Sequence, residues 1–188
     1  MILDDLKRCT WCGIDPLYVK YHDEEWGKPV YDDKVLFEFL VLESAQAGLS
    51  WITVLRKREN YRKAFADFDV KKVAAFNSED VNRLLLDAGI IRNRQKIEAS
   101  INNAKLFLEI QTEFGGFSDY IWGFLPDKKP IINFWKDHTS VPARTELSDK
   151  ISSDLKKRGF KFFGTTICYA HMQATGMIND HVLDCIAR

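Results

Sequence analysis

With 188 residues, 46% of them apolar, and 27 basic side chains balanced by 27 acidic ones, the chain has material for one well-buried domain at zero net charge. That balance excludes a polycation holding nucleic acid by bulk attraction, and no stretch approaches the roughly 20 apolar residues of a membrane span. The opening Met1-Ile-Leu-Asp-Asp-Leu-Lys-Arg8 shows no basic leader before an apolar run, so a cytoplasmic protein is expected.

Residues 1–34 read as an N-terminal strap. Asp32-Asp33 then caps an apolar-periodic helix through Val35, Leu36, Phe39, Leu40 and Leu42, and Ser50 opens a second through Ile52, Val54, Leu55 and Tyr61. The spacing predicts further helices near 70–76, 79–87, 94–113, 118–124, 146–158 and 164–176. Gly89, Gly159 and Gly176 each close an apolar-periodic segment, where a left-handed C-cap is expected. Gly115-Gly116 and the proline-bearing stretch 126–142 read as loops between helices, since neither is low-complexity. The expected architecture is all-α, one domain over 1–188, with the strap packed against 177–188.

The chain ends carry soft metal ligands: Cys9 and His22 near the start, His181 and Cys185 near the finish. A His and a Cys at i, i+4 face the same way on a helix, and with a second Cys/His pair they fill the tetrahedral shell that zinc prefers. Each alone is more often a core cysteine or a solvated histidine, so the weight rests on the combination. Cys12 makes a second knuckle spacing with Cys9, giving five candidates for four places, and spacing does not choose among the N-terminal three. Cys168 sits alone in an apolar run, and the remaining cysteines fall within this constellation, which suits a reducing compartment better than disulfides.

Charge is locally uneven. Arg56-Lys57-Arg58 with Arg62-Lys63, then Arg92, Arg94 and Lys96, then Lys156-Lys157-Arg158 with Lys161 form three basic clusters, which either solvate helix faces or assemble one phosphate-binding surface. Around Gly89 the pattern is helix, turn, then a basic helix start, a helix-hairpin-helix arrangement whose backbone N–H groups and helix dipole suit a DNA phosphate. Glu43 follows Val41-Leu42 on an apolar helix that would desolvate it, and Gly48-Leu49 forms a small backbone wedge with an apolar side chain, as a protein that unstacks a base pair would present.

These residues lie within longer motifs. Tyr21-His-Asp-x-Glu-Trp-Gly27, Gln46-Ala-Gly-Leu-Ser-Trp-Ile-Thr-Val-Leu55, Asp87-Ala-Gly-Ile-Ile-Arg92, Gly164-Thr-Thr-Ile-Cys-Tyr169 and Asn179-Asp-His-Val182, among others spread over 8–185, closely resemble the bacterial DNA-3-methyladenine glycosylases of type I. The resemblance implies a helix-hairpin-helix glycosylase fold, one structural zinc on Cys9, His22, His181 and Cys185, and excision of 3-methyladenine from double-stranded DNA containing alkylated purines, without strand cleavage. It implies further that Glu43 contacts the extruded base, that Trp11, Tyr21 and Trp51 line its pocket, and that Gly48 and Leu49 plug the duplex, while Gly89, Arg92 and Arg94 meet the backbone. On this basis Glu43 is the expected catalytic residue, Cys12 a spectator, and the protein a monomer without a protein partner. His171 departs from the family pattern at a position expected to matter only for helix packing. The competing reading is a non-catalytic, zinc-stapled module that binds damaged DNA; a zinc hydrolase is disfavoured because four protein ligands close the metal shell.

Overall fold

The computed structural model describes residues 7–188, so the first six residues of the strap lie outside the described residues. The chain is mostly helical and is built around α2 (Asp33–Gln46), whose stretch from Leu36 to Ala45 is buried on every side. Around it pack α3 (Trp51–Leu55), α7 (Arg94–Phe114), α8 (Phe117–Trp122) and α10 (Thr165–Ala174). A helix buried all round needs apolar residues beyond a single stripe, and the run Leu36 to Leu42 supplies them. Several polar groups that border this core are paired. Asp32 caps α2 by accepting from Val35 N, while neighbouring Asp33 accepts from Phe117 N and Ser118 N and so caps α8, whose own N-cap residue, Gly116, has no side chain to do it.

Most of the expected helices are present close to their expected limits: α5 (Val70–Ala74), α6 (Ser78–Leu86), α7, α8, α9 (Glu146–Lys157) and α10. Three differences have physical causes. The helix expected after Ser50 is broken in two, α3 and α4 (Arg58–Ala64), because Lys57 N bonds Val54 O in a tightened last turn and the chain changes direction there. An additional helix, α1 (Pro16–Glu24), crosses the strap; Asp15 caps it and Pro16 occupies its first turn. Finally, the 126–142 loop is tied down by a short parallel pairing of β1 (Ile131–Ile132) with β2 (Ile178–Asn179), so the protein is not strictly all-α.

Of the three glycines expected as left-handed caps, Gly159 and Gly176 have positive φ and Gly89 does not. Asp87 closes the α6 end instead, in extended backbone, with its carboxylate accepting from Gly89 N. What Gly89 provides is space: a Cβ there would lie 2.9 Å from the Asn60 side chain on α4. Gly176 is more constrained. Its φ is +65°, and a Cβ would stand 2.1 Å from the Lys28 carbonyl carbon, where the strap runs along the end of α10 through Gly27 N to Gln173 O and Val30 N to Thr175 O. Gly176→Ala should therefore cost about 3 kcal/mol or more, through a backbone collision added to left-handed strain. Urea unfolding of that variant beside Gly115→Ala, whose glycine shares a positive φ but has open space around it, separates collision from strain.

Candidate functional site

Two constellations sit side by side. The first joins the chain ends. Cys9, His22, His181 and Cys185 are all buried, and their ligand atoms lie within 4.8 Å of one another. Cys185 Sγ is 3.3 Å from His181 Nδ1 and 3.4 Å from His22 Nε2, and Cys9 Sγ is 3.6 Å from His181 Nδ1. Metal bonds of about 2.0–2.3 Å arranged tetrahedrally place ligand atoms about 3.3–3.8 Å apart, so the donors fit around one ion. The remaining ring nitrogens are held: His22 Nδ1 meets Asp23 at 2.7 Å, Asp23 accepts in turn from Arg8, and His181 Nε2 meets the Trp26 carbonyl at 3.0 Å. Outer partners of this kind fix ring orientation and tautomer in metal sites. Burial lowers both histidines, His181 to about 4, which keeps the imidazoles neutral and able to ligate. The same burial pushes the Cys9 thiol up to about 12, so a thiolate there requires a cation beside it. Cys12 is outside the group; its thiol turns to the Cys9 and Gly13 carbonyls.

The second constellation is a cavity of about 250 Å³, small for a ligand pocket. Trp11 reaches it from the turn Thr10–Cys12, Tyr18 and Tyr21 from α1, Glu43 and Gln46 from the last turns of α2, and Trp51 from the start of α3. All four residues expected to touch a base are thus together. The rings meet edge-on or tilted, with centroids 4.9 Å apart for Trp11 and Trp26 and 5.4 Å for Tyr21 and Trp51. The two constellations share this wall: Trp11 packs edge-on against the His22 ring and Trp26 against the His181 ring.

Glu43 is 3% exposed, and burial alone raises its carboxyl to about 8. Its Oε2 has no hydrogen-bond partner among the described residues, and neither do the indole nitrogens of Trp11 and Trp51. An unpaired buried polar group costs about 1–3 kcal/mol, so three on one small cavity describe a site shaped for a polar, flat guest.

Sequence reasoning missed several cavity residues. Tyr18 lies on the same face of α1 as Tyr21, a spacing the Asp15-Pro16 helix start could have revealed. Trp26, within the quoted Tyr21-to-Gly27 motif, also lines the cavity, as do His138, Ala170 and Gln173, which come from remote segments and carried no local signal.

The basic clusters separate on inspection. Arg58 and Arg62 both donate to buried Glu38, Arg56 to Asp15, Lys57 to the Ala88 carbonyl, and Arg158 to Glu113 and Asp154. Lys96 donates to the Ala45 and Ala47 carbonyls at the end of α2. These cations are held in structural contacts, so only part of the three clusters' charge is left to the surface. Arg92 is exposed and makes no side-chain bond among the described residues, whereas Arg94 is shared with Asn82 and Glu98. Around Gly89 the turn N–H groups are partly spent inside, Gly89 N on Asp87 and Ile91 N on the Tyr61 hydroxyl. Gly48 has a φ of +80° and open space where a Cβ would be, next to Leu49, which is 39% exposed. Through Lys96, the start of α7 grips this tip, so Gly48-Leu49 and the Gly89 turn belong to one connected region.

A model of the methyladenine glycosylase family matches residues 11–188. The chain is 53% identical over 180 residues to DNA-3-methyladenine glycosylase 1 of Escherichia coli (strain K12), covering 96% of each. It superposes with a TM-score of 0.92 on a crystal structure of 3-methyladenine DNA glycosylase I, at 51% identity, covering 96% of this chain and 98% of the other. It superposes equally well, at 0.92 and 38% identity over 96% of this chain and 95% of the other, on a structure described as the structural basis of 3-methyladenine recognition by the Staphylococcus aureus enzyme.

The buried Glu43 carries a pH signature. A carboxyl raised from an ordinary 4.5 to about 8 binds its proton more tightly folded than unfolded, so stability is fullest below pH 4.5 and is lost as pH rises towards 8. That displacement corresponds to roughly 5 kcal/mol at most. Glu43→Gln should remove this slope, becoming progressively more stable than the parent between pH 5 and 8 in parallel urea titrations; parallel curves would mean that Glu43 is already ionised in the folded protein. With its fold, its chain-end Cys/His group and its acid-floored aromatic cavity described, the chain belongs to the methyladenine glycosylase family.

Proposed function

We propose that this chain excises 3-methyladenine from alkylated double-stranded DNA by hydrolysing the bond between base and sugar, and that it does so as a single domain acting alone. The observation that carries the reading is the unpartnered Glu43 carboxyl among aromatic walls. Methylation at ring nitrogen 3 makes the adenine cationic while it remains attached to the sugar. When the glycosidic bond breaks, its electron pair moves onto the base and neutralises it, and water completes the hydrolysis at the sugar carbon. The lesion is therefore already a good leaving group, and the protein acts mainly by selection and placement.

Selection follows from the cavity. Rings attract a flat cation by stacking and cation–π contact, worth about 0.5–2 kcal/mol per good contact. The indole N–H groups of Trp11 and Trp51 suit ring nitrogens of a purine, and Glu43 suits its amine. A seated cation lowers the Glu43 pKa, so the carboxylate forms when the methylated base arrives, and neutral adenine gives no such return. Leu49 at the Gly48 turn is read as filling the gap left in the duplex, and Gly89, Arg92 and Arg94 as meeting the backbone in helix-hairpin-helix fashion, with Arg92 the best placed. The turn offers no lysine that could cleave the strand, so hydrolysis ends at an abasic site.

The same reading assigns a zinc ion to Cys9, His22, His181 and Cys185. Two thiolates and two imidazoles close a tetrahedral shell, so zinc would supply folding energy here and no Lewis acid. Purified protein should hold one zinc per chain; Cys185→Ser should lose it and melt at lower temperature, whereas Cys12→Ser should keep it. A parent protein free of metal whose melting temperature ignores a chelator would refute the staple.

Release of free 3-methyladenine from methylated duplex, followed by chromatography in single turnovers, tests the function itself. With enzyme below saturation, Glu43→Gln should slow release at least about tenfold, because the amide keeps the shape and loses the charge that draws in the cationic base. Unchanged rates and unchanged preference over undamaged adenine would assign discrimination to the rings alone.

A further inference from the structure

Asp180, in the Asn179-Asp-His181 motif, is 1% exposed and accepts four hydrogen bonds. Asn133 Nδ2 and Trp135 Nε1 donate to Oδ1, each at 2.7 Å; the Tyr169 hydroxyl and Gln173 Nε2 donate to Oδ2, at 2.7 and 2.8 Å. With four donors converging, Asp180 serves only as an acceptor. That determines the orientation of Gln173, because only the nitrogen of a primary amide can donate to a carboxylate. The amide oxygen of Gln173 then lies at the other end, accepts no hydrogen bond among the described residues, and belongs to a side chain that lines the cavity.

We propose that Gln173 is a specificity-determining residue, locked by Asp180 so that it offers the base an acceptor it cannot exchange for a donor, and that the cavity therefore takes 6-amino methylpurines and rejects 6-oxo ones. The inference rests on the reading of this cavity as the base site. Glu43 cannot make the same distinction, since a carboxyl raised to about 8 donates when protonated and accepts when ionised, and so suits an amine or an oxo group. Gln173 has one orientation. An exocyclic amine donates to its oxygen; an oxo group would meet it lone pair to lone pair with no donor between, the kind of mismatch by which hydrogen-bonding sites reject near-isosteres. Asp180 is then a positioning residue that acts through Gln173.

The probes are free 3-methyladenine and 3-methylhypoxanthine, which share the methylated ring and differ at position 6, titrated against the quenching of cavity tryptophan fluorescence. The zinc-loaded parent should favour the amino base by about tenfold or more. Gln173→Met, similar in length and without the amide, should bring the ratio close to one while melting temperature and metal content stay those of the parent. Asp180→Asn gives a sharper signature. Its amide can accept from Asn133 and Trp135 and donate to the Gln173 oxygen, turning the Gln173 nitrogen towards the cavity. Binding of 3-methylhypoxanthine should then strengthen in absolute terms while that of 3-methyladenine weakens, which a merely structural role for Asp180 would not produce. A parent-like ratio in Gln173→Met overturns the proposal and leaves the base-site reading intact; failure of the parent protein to bind either base overturns both.

Discussion

Burying a carboxyl group without a cation is the costly act around which this protein is organised. Glu43 occupies the end of α2, a helix with protein on every side from Leu36 to Ala45, and the remaining elements can be understood as what keeps that position dry, open to one face and fixed in place. The contrast with Glu38, five residues earlier on the same helix, is instructive. Glu38 is nearly as buried but receives Arg58 Nε at 2.6 Å and Arg62 Nη2 at 2.8 Å, forming a closed ion-pair network that ties α2 to α4. Removing one partner of such a buried pair costs about 3–5 kcal/mol, which makes it a structural joint. Glu43 has the same chemistry with the partner left out, and a guest is the means by which that account closes.

The aromatic walls cannot hold themselves. Trp11 belongs to a three-residue turn and Trp26 to a connection after α1, neither of which has the length to be stable alone. Both indoles lean on histidine rings of the Cys/His group, and that group is assembled from chain segments more than 150 residues apart in sequence. Fixing the ends of so long a loop is where a metal clip gains most in chain entropy. A metal held by that group would brace the cavity wall through these two rings. The opposite edge is held differently: Lys96 closes the last carbonyls of α2 and thereby sets where the Gly48 turn begins. Recognition and DNA contact thus share α2 as a common frame.

How much of this was legible in the sequence depends on whether the cause was local. Apolar periodicity located α5 to α10 because each buries one face or more, and the Asx and threonine caps that start α5, α6, α7 and α9 are chain-local features. The break after Leu55 involves neither Gly nor Pro, and nothing near Lys57 announces that its side chain will reach Ala88. The basic clusters misled for a related reason: a sequence displays charge but not partners, so Arg58, Arg62 and Lys96 look as free as Arg92 until Glu38 and the α2 carbonyls come into view. The four residues of the Cys/His group were recoverable as a set because two Cys/His pairs, one at each end, together have the donors of a tetrahedral shell. Their rival Cys12 was separable from spacing only by resemblance, and by orientation once the turn Thr10–Cys12 is seen. Gln173 and His138 stayed hidden because a cavity assembled from α2, α10 and a long loop has no period.

The division of labour between residues follows from how little chemistry the lesion requires. A neutral leaving group needs strong acid catalysis and a positioned nucleophile, and a site built for that would show a protonated donor aimed at the base and a second carboxylate at the sugar. Here the acidic side chains that follow the Gly89 turn, Glu109 and Glu113 on α7 and Asp119 on α8, stay off the pocket lining, Glu113 pairing with Arg158 and Asp119 with exposed Lys128. What the cavity holds is a set of rings, two indole N–H donors and one carboxyl that a cationic purine turns into an anion, with no second carboxylate beside it. Such a site gains rate by binding the charged, flipped nucleotide in preference to every neutral one, and the cation loses its charge as the bond to sugar breaks. The Glu43 carboxylate therefore favours the ground-state cation at least as much as the departing base, so its value lies in choosing and seating a substrate whose bond to the sugar is already labile.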